Sequence, residues 1–299
     1  MIDRERLSSV TDNVLFDEEM SKHTTFRIGG KADAFVNVEN ALEIEKVIHF
    51  CTDTDTPYMI MGNGSNMLVS DKGIRGVVIH IGSGMSKCRI EGDEVYAEAG
   101  ILMSALAKKI LEANLTGFEF AAGIPGTLGG GIYMNAGAYG GELKDIIESV
   151  TFICPDGLIK TETVDNLDLG YRHSMFMQGG YTILSCKMKL KKGNYDEIKS
   201  LMADFNARRS EKQPLSQPSA GSTFKRPEGY FAGKLIQDAG LMGCSIGGAM
   251  VSDKHAGFVV NKGGATANDV LDLIEHIQKT VKEKFGVDLE PEVRLIGEQ

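Results

Sequence analysis

Clusters of glycine constrain what this chain can fold into more than any other feature of its sequence. Glycine accounts for 36 of the 299 residues, well above the ~7% of an average protein. Because such clusters occur where the backbone turns tightly or approaches a ligand closely, the sequence predicts a globular fold with several backbone-lined loops. The clusters follow no collagen-like period and occupy residues 62–64, 123–131, 137–141, 243–248 and 263–264.

Apolar periodicity between the clusters predicts a mixture of helices and strands. The last predicted helix begins at Thr266-Ala267-Asn268-Asp269, which resembles a capping box. Because no strict strand–helix–strand repeat is present, the pattern predicts an α+β fold. Helices are expected over residues 41–53, 102–114, 195–209 and 266–285, strands over 58–61, 76–81, 182–190 and 289–296, and hairpins over 87–98 and 149–163.

Charge and cysteine content argue against several classes of function. The formal net charge of −9 argues against nucleic acid and anionic membranes as partners. The polar amino terminus lacks the apolar core of a secretory signal, and no apolar run reaches the ~18–20 residues that cross a bilayer. The five cysteines form no C-x-x-C pair, so we expect no metal site and reduced thiols in a cytoplasmic protein.

The glycine-rich loops are candidate phosphate sites. Residues 62–66 follow a predicted strand, so their backbone N–H groups could bind phosphate, although a plain tight turn fits as well. Residues 124–131 and 135–141 could together hold a diphosphate, or they could be close crossings of two backbones. Residues 229–234 are not a P-loop, because three residues separate the glycines where four are required and Leu235 replaces the Ser or Thr.

Four polar features are candidates for chemistry. Arg172 could pair bidentately with a carboxylate, or it could form a surface salt bridge. Ser222 has no G-x-S-x-G surroundings, which argues against a hydrolase nucleophile. Residues 206–234 carry six Lys or Arg against two Glu, which suits an anionic ligand or a solvated surface. Glu292 and Arg294 share one face of a predicted strand, as an exposed ion pair or as an acid with a charged neighbour.

Seven motifs together carry a family resemblance. They are Thr25-Phe26-Arg27-Ile28-Gly29-Gly30, the 62–66 loop, residues 122–130, Asn135-Ala136-Gly137-Ala138, Tyr171-Arg172-x-Ser174-x-Phe176, Gly221-Ser222-x-Phe224-Lys225 and Pro291-Glu292-Val293-Arg294. In this order they resemble the UDP-N-acetylenolpyruvoylglucosamine reductase (MurB) family. The chain resembles the shorter subclass, because no extra tyrosine-bearing loop fits between Arg172 and Ser222.

The resemblance implies an FAD-binding architecture of the vanillyl-alcohol-oxidase type, built from two α+β subdomains, with a carboxy-terminal α+β substrate domain. The first FAD-binding subdomain is expected over residues 1–80, together with the carboxy-terminal strand 289–299. The second is expected over residues 81–205, and the substrate domain over 206–288.

The resemblance also implies a reaction. NADPH reduces FAD, which is held non-covalently, and hydride then passes to UDP-N-acetylglucosamine enolpyruvate to give UDP-N-acetylmuramate for peptidoglycan. Ser222 is the implied proton donor, and Arg172 and Glu292 stabilise the charge that develops on the substrate carboxylate. We expect a monomer whose partners are these small molecules. The rival functions are an oxidase of the same fold and a non-catalytic UDP-sugar-binding module.

Further residues are expected to hold the cofactor and the UDP phosphates. We hypothesise that Arg294 turns toward the pyrimidine edge of the flavin. Lys225, Arg208 and Lys234 are candidates for the UDP phosphates. The residues expected to bind FAD are Arg27, Gly62, Asn63, Gly64, Ser65, Asn66, Pro125, Gly126, Thr127, Gly129, Gly130, Ala136, Gly137 and Arg294.

Overall fold

A computed structural model describes residues 2–298, which form seven α-helices. None of these helices combines the length and apolar character that crossing a bilayer requires. The four predicted helices are confirmed, whereas three helices of six or seven residues are too short for their periodicity to show in the sequence. The helices are α1 (Arg4–Val10), α2 (Ala41–Asp53), α3 (Met103–Glu112), α4 (Leu128–Tyr133), α5 (Tyr195–Lys212), α6 (Ala232–Asp238) and α7 (Ala267–Phe285).

The same residues form eighteen strands, including both predicted hairpins. One sheet places Val14–Glu19, Lys31–Val38, Ile74–Ile81 and Tyr58–Met61 side by side in that order. The strands are β1 (Val14–Glu19), β2 (Lys31–Val38), β3 (Tyr58–Met61), β4 (Met67–Val69), β5 (Ile74–Ile81), β6 (Cys88–Glu91), β7 (Glu94–Glu98), β8 (Leu115–Thr116), β9 (Gly137–Ala138), β10 (Gly141–Glu142), β11 (Ile147–Ile153), β12 (Ile159–Thr163), β13 (Thr182–Lys189), β14 (Lys191–Lys192), β15 (Ser245–Ile246), β16 (Ala249–Val251), β17 (Val259–Asn261) and β18 (Arg294–Ile296).

The predicted strand over residues 289–296 is wrong for most of its length, because only β18 is a strand. Glu292 donates its backbone N–H to Thr223, whereas the N–H of Arg294 bonds to Asn66. The chain therefore changes partner between these two residues, and Pro291 has no N–H to continue a ladder. The prediction that Glu292 and Arg294 share one face of a strand is wrong, because Glu292 lies outside β18.

The described residues fall into two compact units. The first unit comprises residues 2–14, 36–63 and 78–209, and the second comprises residues 15–35, 64–77 and 210–298. Each unit is therefore assembled from three separate stretches of sequence. The three domain boundaries expected from the sequence remain a prediction.

The first unit contains a five-stranded antiparallel sheet with the order β12-β11-β13-β7-β6. Its strands alternate in burial, with Val95 and Met188 fully buried on one face. On the other face Lys187 lies 2.8 Å from Glu94 and 2.9 Å from Glu148. The hydrogen bond from Lys187 lowers the pKa of Glu94. One face therefore packs into the core and the other carries charge, as an antiparallel sheet permits.

The second unit is organised around α7. The predicted capping box is confirmed, since Thr266 and Asp269 exchange hydrogen bonds of 3.0 Å between side chain and backbone. Asp71 adds two more, accepting from the backbone of Ala267 and Asn268 at 2.8 and 3.2 Å. The buried face of α7 packs into one apolar core with α6, β16 and residues as distant in sequence as Phe26. Each fully buried aliphatic side chain there contributes roughly 1.5–3 kcal/mol.

Candidate active site

The predicted site residues occur in both units, and the loop of residues 62–66 crosses the unit boundary between Asn63 and Gly64. The first unit contains Gly62, Asn63, Pro125, Gly126, Thr127, Gly129, Gly130, Ala136, Gly137, Arg172 and Arg208. The second unit contains Arg27, Gly64, Ser65, Asn66, Ser222, Lys225, Lys234, Glu292 and Arg294.

Two predicted phosphate-binding segments meet in the first unit. A Cβ atom added at Gly62 would lie 2.3 Å from Oγ1 of Thr127, so only glycine fits there. Thr127 is the N-cap of α4, and its Oγ1 accepts from the N–H of Gly130 at 3.4 Å. Gly126 has φ +121°, which a residue with a side chain rarely adopts. The two loops therefore form one backbone-lined cradle of the kind that holds a diphosphate.

Part of the glycine-rich segment serves packing instead. The N–H groups of Leu128 and Gly129 donate to Ile101 and Ala99 at 2.8 Å. A Cβ at Gly129 would stand 2.9 Å from the Cβ of Ala99. Similarly, the N–H of Ala136 bonds to Gly131 at 2.8 Å. These amides are already used within the protein, so the cradle's available donors must come from neighbouring residues.

Arg172 lies in a tight turn of the first unit. Gly170 and His173 exchange backbone hydrogen bonds of 3.1 and 3.2 Å, which leaves Tyr171 and Arg172 as a two-residue loop. Arg172 has φ +53°, which is uncommon for a residue other than glycine. Its guanidinium donates to the carbonyl of Gly137 at 3.4 Å. The turn therefore places a fixed positive charge beside the second glycine-rich loop.

Backbone pairing in the second unit brings the segments of Ser222 and Glu292 together. The N–H of Glu292 donates to Thr223, and the N–H of Lys225 donates to Glu290, both at 2.8 Å. Thr223 is itself anchored, because its Oγ1 accepts from the N–H of Val259 at 2.9 Å. Ser222 is exposed while Thr223 is 4% exposed. The serine hydroxyl therefore projects from a segment that is held firmly through its neighbour.

Asn66 joins this cluster to the 62–66 loop within the second unit. Its side-chain amide donates to the carbonyl of Glu292 at 3.1 Å, and its carbonyl accepts from the N–H of Arg294 at 3.0 Å. Thr25 makes a second link, donating its hydroxyl to Ser219 at 2.7 Å and its N–H to Gly64 at 3.3 Å. Three predicted motifs are thus brought together around Ser222.

Arg27 is presented by a turn whose anchor the sequence analysis missed. Arg27 is exposed and has φ +56°. Asn261, only 8% exposed, donates to the carbonyls of Phe26 and Arg27 at 3.2 and 3.5 Å. Its Oδ1 accepts from the backbone of Gly263 and Ala265. A lone asparagine at the end of an apolar strand is the only sequence signal for this role.

The three basic residues expected at the UDP phosphates each contact a nearby carboxylate. Lys225 lies 2.5 Å from Glu290, Arg208 lies 2.7 Å from Asp204, and Lys234 pairs with Asp238. Partly exposed pairs of this kind contribute at most about 1 kcal/mol, so an anionic ligand could replace the carboxylate. The neighbour Arg209, which the sequence analysis passed over, donates to the carbonyl of Gly123 in the first unit.

His255 is a titratable group connected to the anchor of Ser222 through Gly257. Burial lowers its pKa, and the positive charge of Lys212 lowers it further. Its Nδ1 accepts from the N–H of Gly257 at 3.0 Å, and the carbonyl of Gly257 accepts from the N–H of Thr223 at 2.8 Å. Neutral His255 therefore stabilises the loop on which Thr223 rests. Among residues 2–298, no group of three or more His, Cys, Asp or Glu side chains is arranged for a metal ion.

Family models match both halves of the chain. A model described as UDP-N-acetylenolpyruvoylglucosamine reductase, C-terminal domain, matches residues 213–296. A second model, described as FAD binding domain, matches residues 32–162. These matches confirm the predicted fold class, in which an α+β FAD-binding domain is combined with a carboxy-terminal domain.

Similar proteins extend over nearly the whole chain. A UDP-N-acetylenolpyruvoylglucosamine reductase of Agathobacter rectalis is 54% identical, covering 98% of both chains. The reductase of the same name from Alkaliphilus oremlandii is 53% identical, covering 96% of this chain and 95% of its own. The crystal structure of the corresponding enzyme from Thermus caldophilus has a TM-score of 0.81 at 34% identity, covering 94% of this chain and 97% of its own.

Proposed function

Because this chain belongs to the UDP-N-acetylenolpyruvoylglucosamine reductase family, we propose that Arg172, Ser222 and Glu292 are its catalytic residues. The protein is an FAD-dependent oxidoreductase with NADPH as its reductant. It reduces UDP-N-acetylglucosamine enolpyruvate to UDP-N-acetylmuramate in peptidoglycan synthesis. The observation that carries the assignment is the 2.8 Å hydrogen bond from Glu292 to Thr223, which joins the segments of the acid and the serine.

When bound, FAD would supply hydride transfer between NADPH and the enolpyruvyl group. The residues of the cradle fit its diphosphate, since the Gly62 position has no space for a side chain and Gly126 has a left-handed backbone. We place Arg27 and Arg294 against the flavin, with Arg294 at the pyrimidine edge. The remaining proposed contacts are Asn63, Gly64, Ser65, Asn66, Pro125, Thr127 and Gly137. Gly129, Gly130 and Ala136, whose N–H groups bond within the protein, are proposed to shape the loops around the cofactor.

A non-covalent cofactor is supported by the surroundings of His23, a histidine that could suggest a covalent flavin link. The His23 ring stacks on Phe35 with 4.0 Å between centroids, and its Nε2 lies 3.0 Å from Glu18. Both the face and one nitrogen of the imidazole are thus engaged. FAD released intact by denaturing the protein is the expected result.

The three catalytic side chains have different tasks. The hydroxyl of Ser222 donates the proton that completes reduction of the enolpyruvyl carbon. The guanidinium of Arg172 stabilises the negative charge that collects on the substrate carboxylate. Glu292 is assigned to the stabilisation of that same charge. A preorganised donor such as the guanidinium of Arg172 contributes about 3–4 kcal/mol to transition-state stability.

The substrate's phosphates are assigned to Lys225, Arg208 and Lys234, and the weak ion pairs of these residues support an exchange of partner. The protein works as a monomer in the cytoplasm, without nucleic-acid or membrane partners. A net charge of −9 supports the absence of polyanionic partners. Five cysteines that form no disulfide support a reducing compartment.

Two half-reactions test the function directly. The holoenzyme is mixed with NADPH without oxygen, and flavin absorbance near ~450 nm should disappear. Mixing the reduced enzyme with the enolpyruvyl sugar should then restore the absorbance. An oxidase would resist NADPH, and a UDP-sugar-binding module would show no flavin band. Either result would contradict the assignment.

A further inference from the structure

We propose that Asn135, supported by Ser174, is a positioning residue that fixes the Arg172 turn for the proposed reduction. This inference rests on the proposed role of Arg172. Asn135 is 1% exposed and Ser174 is fully buried, so neither side chain is available to bind a ligand directly. Each hydrogen bonds to backbone, and these bonds converge on the turn and on the loop that it contacts.

Asn135 uses its whole amide. Its Nδ2 donates to the carbonyl of Gly170 at 2.9 Å and to the carboxylate of Glu142 at 2.8 Å, while its Oδ1 accepts from the N–H of Lys144 at 3.0 Å. One donor facing Oδ1 and two acceptors facing Nδ2 leave a single possible orientation of the amide. The side chain therefore clamps Gly170, the first residue of the turn, to the 142–144 segment.

The turn is held at two further points. The guanidinium of Arg172 donates to Gly137, two residues after Asn135, at 3.4 Å. The hydroxyl of Ser174 donates to the carbonyl of Tyr133, two residues before Asn135, at 2.5 Å. Residues 170–174 and 133–137 are thus joined by three side-chain hydrogen bonds that run in both directions.

These hydrogen bonds constrain a turn whose backbone is strained. Arg172 has φ +53° and Asn135 has φ +44°. A left-handed backbone at a residue other than glycine is unfavourable and persists only where the surrounding structure holds it in place. The buried hydrogen bonds supply that constraint. Because a displacement of about 1 Å can slow a reaction about 10²-fold, the precision of Arg172 depends on them.

Asn135→Asp is the sharpest variant, because aspartate keeps the size and tolerates positive φ but loses both donors. It sets a carboxylate against Glu142 and the Gly170 carbonyl. We expect the second half-reaction to slow about 10²-fold, while flavin reduction by NADPH and the flavin spectrum stay near wild type. Tm should fall, because the variant buries a carboxylate beside that of Glu142. Ser174→Ala should produce a smaller slowing of the same step.

Asn166→Asp is the matched control. Asn166 is exposed, and its Nδ2 donates to Glu162 at 2.9 Å, so the substitution sets the same two charges side by side away from the turn. Both half-reactions should keep their wild-type rates. Slowing of both half-reactions together in Asn135→Asp and Ser174→Ala, with loss of FAD, would mean a merely structural role and overturn the inference.

A double-mutant cycle with Arg172→Ala tests the role of Asn135 separately from the role of Arg172. If Asn135 acts through Arg172, adding Asn135→Asp to Arg172→Ala should slow the second half-reaction little further. If Arg172→Ala is itself slow and the two substitutions slow the second half-reaction multiplicatively, the role of Asn135 is overturned while that of Arg172 stands. A wild-type rate for Arg172→Ala would overturn the proposed role of Arg172, and the inference with it.

Discussion

The segments that carry Arg172 and Ser222 use a left-handed backbone in opposite ways. Arg172 itself has φ +53°, and side chains buried around it constrain the turn. Before Ser222 the left-handed position falls on Gly221, at φ +77°, where a Cβ would meet nothing within 4 Å. Glycine adopts this conformation without a steric cost. One segment is strained and braced, and the other is relaxed.

The difference fits the tasks proposed for the two residues. A charge that stabilises a transition state must already be in place, because moving it during the reaction would cost free energy. A proton donor needs a hydroxyl that can rotate, and the exposed Ser222 beside the anchored Thr223 provides one. The structure thus constrains the whole turn that carries Arg172, whereas beside Ser222 it anchors the neighbouring Thr223 and leaves the serine exposed.

Ser222→Ala should have the largest effect, and it tests the relaxed segment of the comparison. Loss of the proton donor is expected to slow the second half-reaction by about 10²–10⁴-fold. Flavin reduction by NADPH should stay at the wild-type rate, since that step needs no proton from Ser222. Stopped-flow absorbance measures both steps.

The control for that variant is Ser245→Ala, which removes another exposed serine of the second unit, whose hydroxyl donates to the carbonyl of Gly243 at 3.2 Å. It should leave both steps unchanged. An equal slowing of the two half-reactions in Ser222→Ala would show that the hydroxyl is not the proton donor.

Arg172→Lys tests the constrained turn of the comparison and should have the next largest effect. Lysine keeps the charge and the same steric demand at positive φ, but it lacks the planar fork that matches a carboxylate. We expect the second half-reaction to slow about 10²-fold, the cost of one lost preorganised donor. Full activity would show that only charge, and not geometry, matters here.

Arg89→Lys is the matched control. The Arg89 guanidinium stands 4.6 Å from the ring centroid of Tyr96, as that of Arg172 stands 5.4 Å from Tyr171. Arg89 is exposed on β6 and pairs with Glu91 at 2.5 Å. Its substitution should leave both half-reactions intact.

The sequence predicts the long elements well because their periodic patterns are local. The apolar stripe of α7 and its capping box follow from neighbouring residues, and both are confirmed. The short helix α4 was missed because its glycines give no apolar period, and it is started instead by the N-cap Thr127. The strand predicted at the end of the chain was too long, because the change of hydrogen-bonding partner after Glu292 depends on tertiary contacts.

Sequence motifs indicate candidate side chains of the site, whereas a side chain that acts through backbone hydrogen bonds leaves no such signal. Arg172 and Ser222 stand in recognisable motifs. Asn135 and Asn261 are buried asparagines whose partners lie 35 and 235 residues away, so spacing cannot reveal them. The use of Gly129 for packing was equally hidden, because a glycine that contacts a ligand and one that contacts Ala99 look the same in sequence.

His255→Asn should have the smallest effect and would sharpen the comparison by asking how the two anchors respond to pH. The side chains that hold the Arg172 turn are an amide and a hydroxyl, whereas the anchor of Ser222 runs through Gly257 to the imidazole of His255. Burial lowers the pKa of His255 below its ordinary value of 6.5. Between the folded and unfolded values, only the unfolded chain binds the proton, so stability falls as pH drops below about 6.5.

Asparagine can accept from Gly257 as Nδ1 does, but it does not titrate. The wild-type Tm should therefore fall more steeply than that of His255→Asn between about pH 7 and pH 5, while the two stay close above pH 7. His276→Asn, exposed on α7, should follow the wild-type curve. Parallel curves for wild type and His255→Asn would show that the imidazole does not make this anchor acid-sensitive. The two segments would then differ in strain alone.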